Sequence, residues 1–240
     1  MPKRNIISQS VLISGYSQMG MAEEALCCFK MTVADGFEPN DHVYVGALSA
    51  CSSMLDARAG KEIHAKIYRS CVEFSPRVSN CLINMYGKCG LLGSARFVFD
   101  AILEPDSVSW TALLSCCCQS GKNLEGLKIF LKSYVEGVVL NEFSCATVLG
   151  ASAALEDLRL GMQFHSLVVK CGFEPDKFVV TGLVDFYAKC GDLDSAFRVF
   201  SEADQSYLSV WTALIGGYAQ QGKGKKLLMS FACCTCQAST

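Results

Sequence analysis

The feature that most constrains this chain is an internal repeat with an offset of 101 residues. Ser107–Gly121 (SVSWTALLSCCCQSG) aligns with Leu208–Gly222 (LSVWTALIGGYAQQG), so that the two tryptophans coincide. Further pairs share this offset: Tyr86 and Tyr187, His64 and His165, Gly60 and Gly161, Phe99 and Phe200. One offset that fits landmarks along the whole chain indicates a duplicated structural unit.

Each of these units divides further into segments of 35, 35 and 31 residues. A glycine closes a first apolar run, a small residue follows five positions later, and a phenylalanine follows four positions after that. These triplets are Gly20/Ala25/Phe29, Gly90/Ala95/Phe99, Gly121/Gly126/Phe130 and Gly191/Ala196/Phe200. The predicted repeats are 6–40, 41–75, 76–106, 107–141, 142–176 and 177–207, with a partial copy at 208–231 and an unpatterned tail at 232–240.

Each segment is predicted to form a helix, a turn and a second helix. In the first repeat, Val11, Leu12, Ile13 and Tyr16 are expected on one apolar face of the first helix. Gly20 is expected to end that helix because glycine tolerates a positive φ. Two short helices cannot bury their apolar faces alone, so the pairs must stack on one another. The sequence therefore predicts an all-α fold, a right-handed α-solenoid of helix–turn–helix repeats.

Composition narrows the classes of function. A formal net charge of −2 argues against a DNA binder that depends on many phosphate contacts, but not against a protein that reads unstacked bases. Polar residues interrupt every uncharged run, so no membrane-spanning helix is predicted. The 15 cysteines lie mostly in helical apolar patterns and follow no signal peptide, which favours a reducing compartment.

The repeats resemble the pentatricopeptide repeats of plant proteins, in the subfamily that alternates standard, long and short repeats. The long type is similar to Gly46–Ser70 and Thr147–Phe173, and the short type to Asn80–Asp100 and Thr181–Phe200. The standard type is similar to Ser107–Phe130. The resemblance extends from residue 1 to about residue 231 and implies a protein that binds single-stranded RNA.

The two ends of the chain depart from this pattern. Residues 1–5 resemble the end of a short repeat whose first helix is missing, and residues 232–240 do not continue a second helix. We therefore expect the chain to be a fragment of a longer protein. The resemblance implies residence in a mitochondrion or chloroplast and a role in RNA editing or processing, with editing-factor proteins as further partners. The targeting peptide is expected upstream of Met1.

The resemblance also implies which residues would read RNA. In this family the fifth and the last residue of each repeat face one base, a mode suited to unpaired bases. Carried over to this sequence, the pairs are Ser10/Asn40, Val45/Ser75, Asn80/Asp106, Thr111/Asn141, Ala146/Asp176 and Thr181/Tyr207, with Thr212 left without a partner. The family pattern assigns adenine to the first and fourth pairs and uracil to the third, whereas the second and fifth are not decoded. In the sixth pair Thr181 indicates a purine, but Tyr207 departs from the pattern.

Helix capping offers an alternative explanation for the same residues. Ser10, Thr111 and Thr212 could be helix N-caps, and Asn40, Asn141 and Asp176 could each cap the following helix. Capping explains polarity at one end of a helix, but it requires no recurring pair.

Other motifs favour structural roles. His64 and His165 lie three repeats apart without other metal ligands at a suitable spacing, so neither a metal site nor a cofactor is predicted. Trp110 and Trp211 are expected to pack between repeats rather than on bases. The chain contains no H-x-E zinc-deaminase motif, so no enzymatic activity is predicted.

A peptide-binding scaffold of the tetratricopeptide type is the alternative function. Such arrays keep a constant period of about 34 residues, whereas this chain alternates segments of 31 and 35 residues. The alternation and the paired polar positions favour RNA over a peptide partner. Neither DNA nor a membrane is expected as a partner.

Overall fold

The computed structural model describes residues 5–70, 75–204 and 206–229. The predicted tail at 232–240 and most of the predicted partial repeat at 1–5 lie outside these ranges. The chain divides into two compact units, residues 1–122 and residues 123–240. Every regular element within the described residues is a helix, which confirms the predicted all-α class. None of these helices has the length and apolar character needed to cross a membrane.

The first unit contains three helix pairs and one further helix. Its helices are α1 (Ile6–Gln18), α2 (Ala22–Ala34), α3 (Asp41–Met54), α4 (Ala57–Arg69), α5 (Pro76–Lys88), α6 (Leu92–Asp100) and α7 (Ser107–Gln119). The odd-numbered helices pack on one another in chain order, and each even-numbered helix packs against its neighbours on both sides. The unit is thus a stack of helical hairpins, the arrangement expected of a solenoid.

The second unit has the same organisation. Its helices are α8 (Asn123–Val135), α9 (Glu142–Leu155), α10 (Leu158–Lys170), α11 (Lys177–Lys189), α12 (Leu193–Glu202) and α13 (Leu208–Gln220), followed by helical residues 224–229. Here α9, α11 and α13 pack on one another in order. Within each unit, taken by itself, the first helices of successive predicted repeats therefore form a layer.

Two kinds of turn separate the helices within a hairpin. Gly20 has a φ of 77°, which confirms its predicted role at the end of α1. The two-residue turns after α3 and α9 instead place Leu55 and Glu156 in the left-handed region, with φ values of 56° and 53°. Leu55 and Glu156 are 101 residues apart, so the two copies of the 101-residue sequence repeat also share this unusual turn.

The small residue and the phenylalanine of each triplet lie in the core. Ala25 and Ala196 are fully buried, and Phe200 is 1% exposed. The expected apolar face of α1 is only partly correct, because Ile13 is buried whereas Val11 and Leu12 are exposed. Three adjacent helical residues span about 200° of the helix surface, so one face cannot bury all of them.

Two glycines allow close contact between neighbouring hairpins. A Cβ atom at Gly161 in α10 would overlap the ring of Phe186 in α11, and one at Gly60 in α4 would overlap the thioether of Met85 in α5. Both Phe186 and Met85 are fully buried. Each glycine therefore provides space for a large side chain of the next predicted repeat.

A histidine and a tyrosine join neighbouring hairpins at the same place in both units. His64 Nδ1 lies 2.8 Å from the hydroxyl of Tyr86, and His165 Nδ1 lies 2.7 Å from the hydroxyl of Tyr187. Burial lowers the pKa of both histidines, although Glu174 and Glu202 oppose the effect at His165. Burial raises the pKa of both tyrosines, so each contact joins two neutral groups near pH 7. The structure supports the predicted structural role of these histidines.

These contacts predict that acid destabilises the fold. Because the folded chain binds a proton at His64 and His165 more weakly than the unfolded chain, the stabilisation is present above about pH 6.5 and is lost as the pH falls further. The free energy of unfolding in urea should therefore be lower at about pH 5.5 than at about pH 7.5. Replacing both histidines with glutamine should reduce this difference, whereas His42→Gln, at an exposed position on α3, should leave it unchanged. An equal pH dependence in the parent and the double variant would contradict the assignment.

Candidate nucleic-acid interface

The fifth residues of the predicted repeats lie in the second turn of the first helices. The hydroxyls of Ser10, Thr111, Thr181 and Thr212 each donate to the backbone carbonyl four residues earlier, at distances of 2.7–2.9 Å. A residue in that position lies inside the helix and is not its N-cap. The capping alternative is therefore wrong for Ser10, Thr111 and Thr212.

The last residues of the predicted repeats, by contrast, stand at the N-caps of the following helices. The side chains of five of them accept hydrogen bonds from backbone N–H groups in the first turn: Asn40, Ser75, Asp106, Asn141 and Asp176. The capping alternative is correct for Asn40, Asn141 and Asp176. Tyr207 also stands at an N-cap but makes no such bond. Two of these capping residues, Asn40 and Asp106, also contact the fifth residue of their own repeat.

Ser10 and Asn40 form a direct pair between α1 and the start of α3. The Ser10 hydroxyl lies 3.2 Å from Asn40 Oδ1, and the same oxygen accepts the backbone N–H of Val43 at 3.1 Å. Ser10 is only 8% exposed, whereas Asn40 is exposed. A solvent-facing ligand could therefore reach the amide more readily than the hydroxyl.

Asn80 and Asp106 form a second pair, between α5 and the start of α7. Asn80 Nδ2 donates to Asp106 Oδ1 at 3.4 Å, and the same oxygen accepts both the N–H and the hydroxyl of Ser109 at 2.7 Å. Partial burial raises the pKa of the Asp106 carboxyl, but the hydrogen bonds from Ser109 and Asn80 outweigh it, so the net pKa is lowered. Because these bonds converge on Oδ1, the other carboxylate oxygen is not needed to hold the pair together.

Two of the predicted pairs lack a polar group on the fifth residue. Val45 and Ala146 are half-buried and present only apolar atoms, while their partners Ser75 and Asp176 cap α5 and α11. For another pair, Thr111 belongs to the first unit and Asn141 to the second, and Asn141 forms a capping box with Ser144.

The sixth predicted pair is arranged differently. The Thr181 hydroxyl lies 3.0 Å from the hydroxyl of Ser209 in α13. The Tyr207 ring is half-buried, and Lys177 Nζ lies 5.9 Å from its centroid. The sequence pattern did not indicate Ser209, because the expected partner was the residue at the repeat boundary.

Exposed aromatic rings border this layer of first helices, and the sequence analysis did not select them. Phe143 in α9 and Phe178 in α11 are 52% and 48% exposed, and their ring centroids are 5.4 Å apart. Lys177 Nζ lies 5.4 Å from the Phe178 centroid. Each phenylalanine precedes the fifth residue of its own repeat by three positions, so in each helix the ring and the fifth residue lie on the same face. That spacing was the available signal for a surface on which bases could stack.

The tryptophans, in contrast, are structural. Trp110 is 5% exposed and packs edge-on against Phe99, with centroids 4.8 Å apart. Trp211 packs in the same way against Phe200 at 4.7 Å. The prediction that both pack between repeats is confirmed.

A sequence profile described as PPR repeat matches five segments of the chain, at residues 10–37, 78–104, 108–138, 178–206 and 209–231. Similar full-length proteins include a pentatricopeptide repeat-containing protein of Arabidopsis thaliana, 32% identical over 227 residues, which cover 95% of this chain and 23% of that protein. Another, described as chloroplastic, is 36% identical over 223 residues, covering 93% of this chain and 28% of that protein. The chain thus spans about a quarter of the length of these relatives.

Solved structures share the fold. The crystal structure of the pentatricopeptide repeat protein PPR10 in complex with an 18-nt psaJ RNA element matches with a TM-score of 0.78 and 16% identity, over 96% of this chain and 36% of that one. The structure of PPR10 from maize matches with a TM-score of 0.59 and 21% identity, over 95% of this chain and 38% of that one. At these identities the likeness concerns the arrangement of the helices.

Proposed function

The chain belongs to the pentatricopeptide-repeat family, and from this premise we propose that it binds single-stranded RNA through its layer of first helices, with about one base for each repeat. The proposed repeats are those delimited in the sequence, of the alternating standard, long and short subfamily. The proposed RNA-facing residues are the fifth and last residue of each repeat.

The observation that carries this proposal is the contact between a fifth residue and the cap of the next first helix. Ser10 contacts Asn40 and Asn80 contacts Asp106. Capping holds Asn40 and Asp106, a backbone carbonyl holds the Ser10 hydroxyl, and Asp106 holds the Asn80 amide, so the hydrogen-bonding groups are oriented before a ligand arrives. Such preorganisation lowers the entropy that binding must overcome.

The chemistry of these pairs suits the exposed edges of unpaired bases. A hydroxyl with an amide matches adenine, and an amide with a carboxylate matches uracil, according to the family pattern. The preferred RNA would then contain 5′-A-N-U-A, read from the amino terminus of the chain. Exposed Phe143 and Phe178 support binding because bases stack on aromatic faces without sequence preference.

Family membership favours RNA over the tetratricopeptide type of peptide scaffold. We propose a role in organellar RNA editing or processing, in a chloroplast or a mitochondrion, with editing-factor proteins as further partners. A relative described as chloroplastic supports the organellar assignment. No catalytic role is proposed for the described residues.

The test is a change of base preference at the third repeat. The parent chain should bind an RNA with uracil opposite Asn80 and Asp106 more tightly than the other three bases, by about 1–3 kcal/mol. Asn80→Thr should move the preference from uracil toward guanine, since threonine with aspartate matches the guanine pair of the family. Dissociation constants for four RNAs that differ only at this base, measured by fluorescence anisotropy, would check the shift.

Asn84→Thr is the matched control, because it makes the same substitution at an exposed position one turn further along α5. This variant should keep the uracil preference. Equal binding of all four RNAs by the parent, or an unchanged preference in Asn80→Thr, would remove the case that these side chains read RNA.

A further inference from the structure

The duplication allows the third and sixth predicted repeats to be compared residue by residue. Thr181 corresponds to Asn80, Tyr207 to Asp106 and Ser209 to Val108, each 101 residues later. The two repeats therefore occupy equivalent places in their helix layers but carry different side chains at the proposed base-facing position. Any difference in their hydrogen bonds reflects these substitutions.

The third repeat holds a carboxylate beside its fifth residue. Asp106 is fixed by the N–H and hydroxyl of Ser109 and by the amide of Asn80. Just after the sixth repeat, Val210 stands in place of Ser109 and has no hydroxyl. The hydroxyl bond that helps to position the carboxylate of Asp106 thus has no counterpart at the sixth repeat.

The fifth residue of the sixth repeat also forms a different side-chain contact from its counterpart in the third repeat. Thr181 contacts the hydroxyl of Ser209 at 3.0 Å, and the residue that corresponds to Ser209 beside the third repeat is the apolar Val108. Tyr207 makes no capping hydrogen bond, and its ring lies 5.9 Å from the ammonium group of Lys177. The Thr181 hydroxyl also donates to the backbone carbonyl of Lys177 at 2.7 Å, so its hydrogen is engaged within the protein and it offers a base no fixed donor.

From these contacts we propose that the sixth repeat accepts any of the four bases, because Ser209 engages Thr181 and Tyr207 stands where the third repeat has the carboxylate of Asp106. The inference rests on the proposed RNA-binding function and specifies one position within it. The recognised sequence would then contain a fixed base at the third repeat and an unconstrained base three repeats later.

The test is a reciprocal exchange in the full chain. Two sets of four RNAs would vary only the base at the third or only the base at the sixth position. The parent should discriminate at the third position by about five-fold or more and at the sixth by less than about two-fold. Asp106→Tyr should reduce the preference for uracil at the third position to less than about two-fold. Tyr207→Asp should create a preference for guanine at the sixth, because guanine presents two adjacent N–H donors to a carboxylate.

A second comparison tests the role of Ser209. Combining Tyr207→Asp with Ser209→Ala should strengthen the new guanine preference, since Thr181 is then released toward the base. Equal discrimination with and without Ser209 would overturn its assigned role. A parent chain that selects at the third position and also selects at the sixth by five-fold or more would overturn the proposed tolerance. Loss of selection at the third position would instead refute the RNA-reading function itself, and this inference with it.

Discussion

Replacing Phe200 with alanine should lower the free energy of unfolding by about 3–5 kcal/mol. The Phe200 side chain is 1% exposed and packs edge-on against Trp211, with centroids 4.7 Å apart. Removing the ring would eliminate the stabilisation that comes from burying its apolar surface, and it would leave a cavity between α12 and α13. Helices in a stack relax only partially around a missing ring, because each is held by neighbours on both sides.

Urea unfolding followed by circular dichroism would measure this loss. Phe97→Ala is the matched control, because Phe97 lies on the corresponding helix of the first unit, α6, but is 68% exposed. The control should change the unfolding free energy by about 0.5 kcal/mol or less. Similar losses for the two variants would show that Phe200 does not anchor the contact between α12 and α13.

Replacing Gly161 with alanine should have the second largest effect and lower the free energy of unfolding by about 1–3 kcal/mol. The added methyl group would overlap the ring of Phe186, which is fully buried and cannot move aside without displacing α11. Overpacking of this kind forces side chains from their rotamers or shifts the backbone. The same urea titration would detect the loss.

Gly60→Ala provides the matched control within the chain. Its methyl group would overlap Met85, whose unbranched thioether can adopt other rotamers. We expect a smaller loss at Gly60 than at Gly161, although both glycines occupy the same place in the duplicated unit. An equal loss would mean that the flexibility of the contacting side chain does not decide the cost.

Much of the fold was predictable because the repeat fixes both the spacing of helices and the positions of their core residues. Ala25, Phe29 and Phe200 lie in the core as their recurrence suggested. The outward orientation of Val11 and Leu12 was not predictable from an apolar run, since hydrophobic type alone does not give the helix phase. The turns at Leu55 and Glu156 were also missed, because neither residue type signals a positive φ.

The candidate site was predictable only as a set of paired positions. The spacing of fifth and last residues placed Asn80 beside Asp106, but it did not show that Ser109 also holds the carboxylate. Ser209 was missed because a contact across a repeat boundary depends on the stagger of two helices. Phe143 and Phe178 were missed because their role depends on exposure, which a hydrophobic residue type does not indicate.

The capping role of the last residue in each repeat bears on how such arrays diverge. Asn, Asp and Ser, the residues found at these caps in Asn40, Asp106 and Ser75, begin helices about equally well. On the proposed function, an exchange among them alters the preferred base while the helix still starts at the same residue. Mutation can therefore move such a protein from one transcript to another with little loss of folding free energy, and selection can act on the recognised sequence separately from the scaffold.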